Sequence, residues 1–364
     1  MSIGKVQINN LNLSQGEITA VENHLLFVGP GKGDKVGKLL TVNTDSDLSG
    51  VLVGADGLLA QVTAARDNGG QNWSASVMLY DAEGDGIASW SDAVDEAMEL
   101  AKVEGVVLTD PLSSVSDIEA MQAKSERIMA KYMRPVWFAG RAPAFDADSQ
   151  SWEEYATAIK PLTADVAADA CLVTPTIWGP ELGTLMGRLC NAAVTVADSP
   201  MRVATGALVG SWTERPVDKA GRRLDMSVLE GLDKARFSVP QWYPDYEGMY
   251  WADGNVLDVN GGDFQVIENV RVIMKAMRRV YPLAVARIAD RRFNSTPASV
   301  AQNKTYFMRP LREMSRSVTI LGQTFPGEIY PPEDGDITVS WPSRTSVELY
   351  MAVRPYNCPK KITC

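Results

Sequence analysis

Short apolar runs alternate with helical patterns along the first 180 residues of the chain. The runs are bounded by turn residues, which is typical of buried strands. They read HLLFVG, KLLTVN, SASVMLY, VEGVVLTDP, RPVWFAGRAP and ACLVTPTIW. Helical patterns cover residues 58–67, 90–101, 115–131 and 151–160. Because helices and strands alternate, we expect an α/β layer structure.

From residue 265 onward the pattern changes to long helices followed by strands. Apolar residues from Val266 to Ile288 recur every three or four positions and define one helix face, and Pro282 is expected to kink or interrupt this helix. A second helix is expected near 297–315, before terminal strands at DITVSW and SVELYMAVRP. A basic stripe on the first helix consists of Arg271, Lys275 and Arg278.

Both ends of the chain alternate apolar and polar positions but carry too little apolar surface to form a core alone. We therefore expect residues 1–20 and 343–364 to be extended arms. The apolar positions of the first arm are Val6 and Ile8 in one parity, and Leu11 and Leu13 in the other. Those of the second arm are Val347, Leu349, Met351 and Val353.

These patterns predict four parts of the chain. They are an N-terminal arm at 1–20, an outer α/β domain at 21–254, a second mixed domain at 255–342 and a C-terminal strand or arm at 343–364. The N-terminal arm is expected to pack with the second domain. The fold class that we expect is α/β (α+β), with two mixed α/β domains and extended arms at both ends.

The net charge of −10 is unevenly distributed along the chain. Residues 265–316 contain eleven Lys or Arg and three Asp or Glu, so this segment carries +8 and the remainder carries −18. Such asymmetry favours a basic surface that meets an acidic partner or acidic parts of neighbouring copies. A solvated helix face is the alternative interpretation.

The composition is that of an intracellular globular protein. Of 364 residues, 45% are apolar and 22% charged, and no apolar run approaches the roughly 18 residues of a membrane span. The first residues lack the apolar core of a signal peptide. The four cysteines lie far apart without a CxxC pair, so we expect reduced thiols. The single histidine, His24, gives little basis for a histidine metal site or a Ser–His–Asp triad.

The segment FVGPGKGDKVGKLL (27–40) looks like a phosphate-binding loop but fails both known spacings. A Walker A loop would need Gly in place of Lys32 and Ser or Thr in place of Leu39. The dinucleotide fingerprint would need Gly in place of Asp34 or Val36. A strand is expected after the loop, so no helix N-terminus is offered to a phosphate. We interpret the segment as a polar turn between two strands.

Other candidate motifs are equally weak. Residues 81–92, DAEGDGIASWSD, match several EF-hand positions but end in Asp92 rather than Glu and follow a strand rather than a helix. An acidic loop that caps the next helix is the simpler interpretation. The aromatic segment 240–251 is expected to pack against its own or a neighbouring subunit. The sequence therefore predicts no catalytic residue, no cofactor and no metal site.

The order of these segments resembles that of the contractile-tail sheath proteins of bacteriophages, in a compact subfamily carried as a domain of unknown function. The resemblance rests on LLFVGPG, KLLTVN and TDSDLSGVLVG, then on AARDNGGQNWSASVML and VEGVVLTDP. The basic helix pair at 265–316 and the strands at 337–354 extend it. It covers nearly the full chain, and residues 27–80 carry most of its weight.

The resemblance implies a structural subunit that assembles with copies of itself, as stacked hexameric rings, into a helical sheath around a tail tube. In that family, terminal arms add strands to a sheet of the neighbouring subunit, which 1–20 and 343–364 would do here. It also implies that residues 255–342 face the tube. The expected tube contacts are Arg271, Lys275, Arg278 and Arg279.

The further partners implied are the baseplate and tail terminator proteins, without a membrane and without direct nucleic acid contact. The implied location is the virion, after assembly in the host bacterial cytoplasm. Contraction would use no nucleotide, since an extended high-energy lattice would relax to a shorter and wider one.

Two other function classes stay open. The first is an α/β metal- or nucleotide-dependent enzyme that uses the acidic loops at 81–92 or 333–336. The second is a nucleic-acid-binding module that uses 265–316, although the negative net charge argues against it.

Overall fold

The computed structural model describes residues 21–84, 86–212 and 214–363. The predicted arm at 1–20, with Val6, Ile8, Leu11 and Leu13, lies outside these described residues. The strands are β1 (Leu25–Pro30), β2 (Leu39–Asn43), β3 (Ser74–Tyr80), β4 (Gly105–Pro111), β5 (Trp137–Ala144), β6 (Ala168–Thr176), β7 (Pro240–Tyr243), β8 (Tyr246–Trp251), β9 (Val256–Leu257), β10 (Val318–Ile320), β11 (Gln323–Phe325), β12 (Ile337–Ser340) and β13 (Glu348–Met351).

Most of the helices lie where the sequence pattern predicts them, but the helices at 48–51 and 226–234 were not predicted. The helices are α1 (Leu48–Val51), α2 (Asp56–Gly69), α3 (Trp90–Leu100), α4 (Val115–Tyr132), α5 (Trp152–Ile159), α6 (Glu181–Leu189), α7 (Met226–Lys234), α8 (Ile267–Val285) and α9 (Pro297–Met314). The prediction of alternating strands and helices is thus confirmed for the first 180 residues. Among the described residues, no helix combines the length and apolarity needed to span a bilayer.

Seven strands form the central sheet, in the order β2-β3-β1-β4-β5-β6-β9. The five inner strands are parallel, and β2 and β9 pair antiparallel at the two edges. Parallel strands need crossover helices, and these cover both faces of the sheet. This explains why the inner strands are continuous apolar runs rather than alternating ones.

Two cores lie on opposite faces of this sheet. Leu26 and Val28 of β1 point into one core, which α3, α4, α5 and α7 cover. Leu25 and Phe27 of the same strand point into the other, which α2, α6 and the first turn of α8 cover. Successive side chains of a strand face opposite sides, so one apolar run serves both cores.

A third core belongs to the C-terminal part of the chain. It joins the inner faces of α8 and α9 through Val272, Ala276, Phe307 and Leu311. The hairpin of β12 and β13 packs on it, with Ile337 fully buried. Side chains from α8 therefore contribute to both the second and the third core, so this helix connects the large sheet to the C-terminal unit.

Of the two effects expected of Pro282, an interruption of the helix is wrong. Helix α8 is not interrupted at Pro282 but continues to Val285, because the third core holds this turn through Val280 and Leu283. The predicted domain limit at 254 stays a prediction. The sheet extends to β9, where Val256 pairs with Leu172 of β6.

Candidate functional site

A groove of about 1170 Å³ runs between α8 and the end of the chain. Asn269, Ile273 and Met277 of α8 line one side of it. The consecutive residues 349–355 line the other side, so a whole strand borders the groove. Asp263 and Asn357 also line the groove. Most of its surface is apolar, and the rest is polar.

Among the described strands β13 pairs only with β12, which leaves its other edge, beside the groove, without a strand partner. Met351 lies opposite Ile337 of β12, and Ala352 donates its backbone N–H to the carbonyl oxygen of Asp336. Residues of an antiparallel strand alternate between pairing with one neighbour and facing away from it. The N–H groups of Leu349, Met351 and Val353 therefore point away from β12, along the edge available to a further strand.

The predicted alternation of the second arm is confirmed. Val347, Leu349, Met351 and Val353 are half-buried, and the last three pack against the third core, whereas Glu348 and Tyr350 are exposed. In this single chain β13 pairs with β12 of its own C-terminal unit. Contacts of these residues with another subunit remain a prediction.

Arg271, the first predicted tube contact, is fully buried instead of lying on the surface. Its guanidinium donates to both carboxylate oxygens of Glu104, at 2.7 and 2.9 Å, and to Asn23 Oδ1 and the carbonyl oxygen of Leu189. Burial alone would lower the pKa of Arg271, but the charge of Glu104 outweighs it and raises this pKa. Arg271 thus joins α8 to the start of β4.

The other members of the basic stripe are mostly paired within the chain. Lys275 lies 2.5 Å from Glu328 Oε1 and is buried. Arg278 lies 3.2 Å from Glu22 and donates to the carbonyl oxygen of Pro135. Arg279 is half-buried and has no acid partner among the described residues. The stripe therefore holds two parts of the chain together, and its role in binding a tube is untested.

Three exposed cations of the C-terminal unit lie on α9 and just after it. Arg309, Arg312 and Arg316 are exposed, and the first lies 3.9 Å from Glu313. Within the described part of the chain, the other two have no acid partner. Sequence reasoning missed this surface because α9 shows a weaker periodic pattern than α8. The spacing of three and four residues between Arg309, Arg312 and Arg316, which is typical of one helix face, could have indicated this surface.

The loop that resembles a phosphate site is a turn tied to β3, as predicted. Gly31 and Gly37 donate their N–H groups to carbonyl oxygens of Tyr80 and Leu79. Lys35 donates to the carbonyl oxygens of Gly50 and Val51, which end α1. Strand β2 follows the loop, and Lys35 binds the end of a neighbouring helix rather than an anion.

The loop at 81–92 caps the next helix as predicted, with the carboxylate of Asp92 in the first turn of α3. The N-cap of α3 is Ser89, whose hydroxyl oxygen accepts from the N–H of Asp92. Residue 85 lies outside the described part. Among the residues described, no three His, Cys, Asp or Glu side chains converge as metal ligands do. His24 contacts the hydroxyl groups of Ser74 and Ser76 at 3.1 and 2.9 Å, and its burial lowers its pKa.

The aromatic segment at 240–251 forms the hairpin of β7 and β8. Tyr243, Tyr246 and Tyr250 contact one another with ring centroids 5.7 to 6.4 Å apart, and Trp251 is fully buried. Packing within the chain, one of the two predicted options, is therefore confirmed. Tyr246 is exposed and leaves part of the hairpin surface open.

Comparison with known families and proteins finds matches over nearly the whole chain. The models described as DUF2586, N-terminal domain, and DUF2586, C-terminal domain, match residues 3–255 and 263–364. A protein of Haemophilus phage HP1 that carries the name tail sheath protein is 46% identical over 364 residues. That match covers 98% of this chain and 96% of the phage protein.

Solved structures of contractile systems share the fold at low sequence identity. The sheath complex of an extracellular contractile injection system, in its contracted state, has a TM-score of 0.63 at 11% identity, covering 100% of this chain and 97% of that one. The contracted helical sheath of the anti-feeding prophage gives 0.59 at 14%, covering 99% and 98%. A sheath tail protein from Desulfitobacterium hafniense gives 0.51 at 12%, covering 96% of each chain. The expected sheath-like α/β fold is thus confirmed.

Proposed function

This chain belongs to the DUF2586 family, and from that premise we propose that it is a structural subunit of a phage contractile tail sheath. Copies would assemble helically, as stacked rings, around a tail tube and would meet baseplate and terminator proteins at the two ends. The subunit would reside in the virion after assembly in the host cytoplasm. The observation that carries this proposal is the open edge of β13 beside the groove.

Electron microscopy of the purified protein tests assembly. We expect the protein to form long tubes when it is concentrated, because its open strand edges can pair between copies. A protein that stays monomeric at high concentration, and also beside a tail tube, would contradict the proposal.

Strand addition would link the copies. A strand in the groove would pair with the outward N–H groups of Leu349, Met351 and Val353 and lay apolar side chains against Ile273 and Met277. The first arm supplies a suitable segment, because it has apolar residues at even-numbered positions (Val6 and Ile8) and at odd-numbered positions (Leu11 and Leu13). We propose that residues 1–20 of one copy occupy this groove on another.

Deletion of residues 2–20 tests this link. The shortened chain is expected to remain folded, because described residues make all three cores. The two cores of the central sheet begin at Leu25 and Leu26, and the third core begins at Val196. It should sediment as a monomer and form no tubes. Tubes formed by the shortened chain would exclude the arm as the linking strand.

As residues that contact the tube, Arg279 and the exposed arginines on and just after α9 are better candidates than the whole predicted stripe. Arg271, Lys275 and Arg278 already have acid partners inside the chain. Arg312 and Arg316 project into solvent, where an acidic tube surface could pair with them. Exposed ion pairs contribute only about 0.2–1 kcal/mol each, so many subunits would be needed to hold an extended state that can still be released.

A charge reversal at Arg312 and Arg316 to Glu tests this assignment. We expect tube-dependent assembly to be lost while tube-free polymers persist, because strand addition does not use these side chains. Arg291→Glu is the matched control outside α9, because Arg291 is also exposed and has no acid partner among the described residues. Unchanged assembly around tubes would contradict a tube contact on α9.

Contraction would proceed without nucleotide, driven by better packing in the shorter lattice. The loop at 27–40 fails the Walker A spacing, and its Lys35 donates to the carbonyl oxygens of Gly50 and Val51. Assembled sheaths in nucleotide-free buffer should shorten when destabilised by a denaturant, as measured in micrographs. Shortening that occurs only after ATP is added would overturn this part of the proposal.

A further inference from the structure

A partly buried ionic contact holds the C-terminal segment to the body of the chain. After β13, Pro355 forms a bridge with Ile329, and the ring of Tyr356 lies 4.1 Å from that of Tyr330. The described residues 357–363 have no regular structure, and Lys361, Ile362 and Thr363 are exposed. Lys360 turns inward, towards two carboxylates.

The ammonium group of Lys360 lies between Asp253 and Glu268. Its Nζ is 2.5 and 2.7 Å from the two carboxylate oxygens of Asp253 and 2.8 Å from Glu268 Oε1. Asp253 follows β8, and Glu268 lies in the first turn of α8. Lys360 therefore connects the chain end to the large unit and to α8 at the same point.

This contact is more than a surface ion pair. The side chain of Glu268 is 6% exposed and that of Asp253 is 18% exposed. Burial raises the pKa of Glu268, so its charge depends on a nearby cation. Without Lys360, two carboxylates would share a buried position without compensation, which is costly. By contrast, Lys361 is exposed and has no acid partner in the described part of the chain.

The contact also fixes one end of the groove. Asn269 lies one residue after Glu268 and lines one wall, and Asn357 lies three residues before Lys360 and lines the groove beside the opposite wall. Between these points, α8 and the strand at 349–355 face each other across the groove. The contact of Lys360 with Glu268 therefore lies close in sequence to a residue of each wall.

We propose that Lys360 is a positioning residue for assembly: its contact with Asp253 and Glu268 holds the open edge of the terminal strand at the distance from α8 that an incoming strand requires. This inference rests on the proposed function, because it concerns the strand edge used for linking copies. Lys360 would act through the strand and would not itself touch the partner.

Substitution of Lys360 by Met, compared with Lys361→Met, tests the inference in the full-length protein. Hydrogen exchange is the first readout, on the amides of Tyr330 and Ala352, which donate to Arg354 and Asp336 across this region. Lys360→Met should accelerate their exchange by about tenfold, while Lys361→Met and amides of the central sheet stay unchanged. Lys360→Arg should restore protection, because it keeps the charge.

Tube formation is the second readout. Lys360→Met should need about tenfold more protein to form tubes than the wild type or Lys361→Met, since its open edge is no longer held in place. Unchanged exchange, or faster exchange with unchanged assembly, would overturn the positioning role. If even the wild type forms no tubes, the proposed function fails instead, and the exchange of Tyr330 and Ala352 still decides whether Lys360 holds the strand.

Discussion

At the scale of single residues, charge is the feature that the sequence leaves most open. The helical spacing of Arg271, Lys275 and Arg278 is readable, but their acid partners are 167, 53 and 256 residues away. A sequence pattern shows that a stripe exists and cannot show which distant carboxylates meet it. The prediction that the stripe contacts the tube did not include these acid partners. Basic side chains on an amphipathic helix can be buried when carboxylates pair with them.

Replacing Arg271 by Met should strongly destabilise the chain. It leaves the Glu104 carboxylate buried without a counter-charge, which costs about 3–5 kcal/mol of unfolding free energy. Urea unfolding at neutral pH measures the loss. Arg279→Met is the control on the same helix, with an expected change within about 0.5 kcal/mol. Equal effects of the two substitutions would show that the buried pair contributes little.

His24 should make stability depend on pH. Burial lowers its pKa from 6.5, so between the two values the unfolded chain binds more protons than the folded one. The contribution of neutral His24 to the free energy of unfolding is therefore complete above about pH 6.5. It decreases as the pH falls from there towards the lower pKa of the folded state. The urea midpoint of the wild type should fall more than that of His24→Gln between about pH 7.5 and about pH 5.5. Parallel pH profiles would contradict this.

At the scale of elements, periodicity predicted the helices well and their starts less well. The spacing of Ser116 and Glu119 predicts a capping box at the start of the helix over 115–131. The structure instead uses Ser114, whose side chain pairs with the first turn together with Asp117. Both pairs have the required spacing of three residues, so the sequence alone could not choose between them.

A close contact between two helices should be sensitive to one added methyl group. Helix α6 packs on α2 so closely that a Cβ on Gly183 would lie 2.1 Å from the carbonyl oxygen of Gln61. Gly183→Ala should therefore cost about 1–3 kcal/mol of unfolding free energy, as overpacking does. Thermal or urea unfolding checks it.

Gly57→Ala is the matched control for this substitution. Gly57 lies in the first turn of α2, and a Cβ there would meet no atom within 4 Å. It should leave stability unchanged or raise it by up to about 1 kcal/mol, because Ala favours helix more than Gly. If Gly183→Ala were as harmless as Gly57→Ala, the backbones of α2 and α6 could not be in contact at this point.

At the scale of the whole molecule, the sequence predicted the fold class but not the assembly surface. The apolar runs indicated a covered sheet because parallel strands are buried on both faces. The groove arises only when α8 and residues 349–355 come together, and no local pattern encodes that distance. The contact of Lys360 with Asp253 and Glu268 was equally invisible, since neither acid stands near it in the sequence.

The central claim is that copies link by adding a strand to the open edge of β13, and Val353→Pro tests it most directly. Proline removes the outward N–H of Val353 but leaves the bond from Ala352 to Asp336 intact, whereas Val353→Ala removes similar packing and keeps the N–H. Electron microscopy of both proteins at equal concentration is the measurement. We expect tubes from Val353→Ala and none from Val353→Pro. Tubes of equal number and length from both would contradict the account.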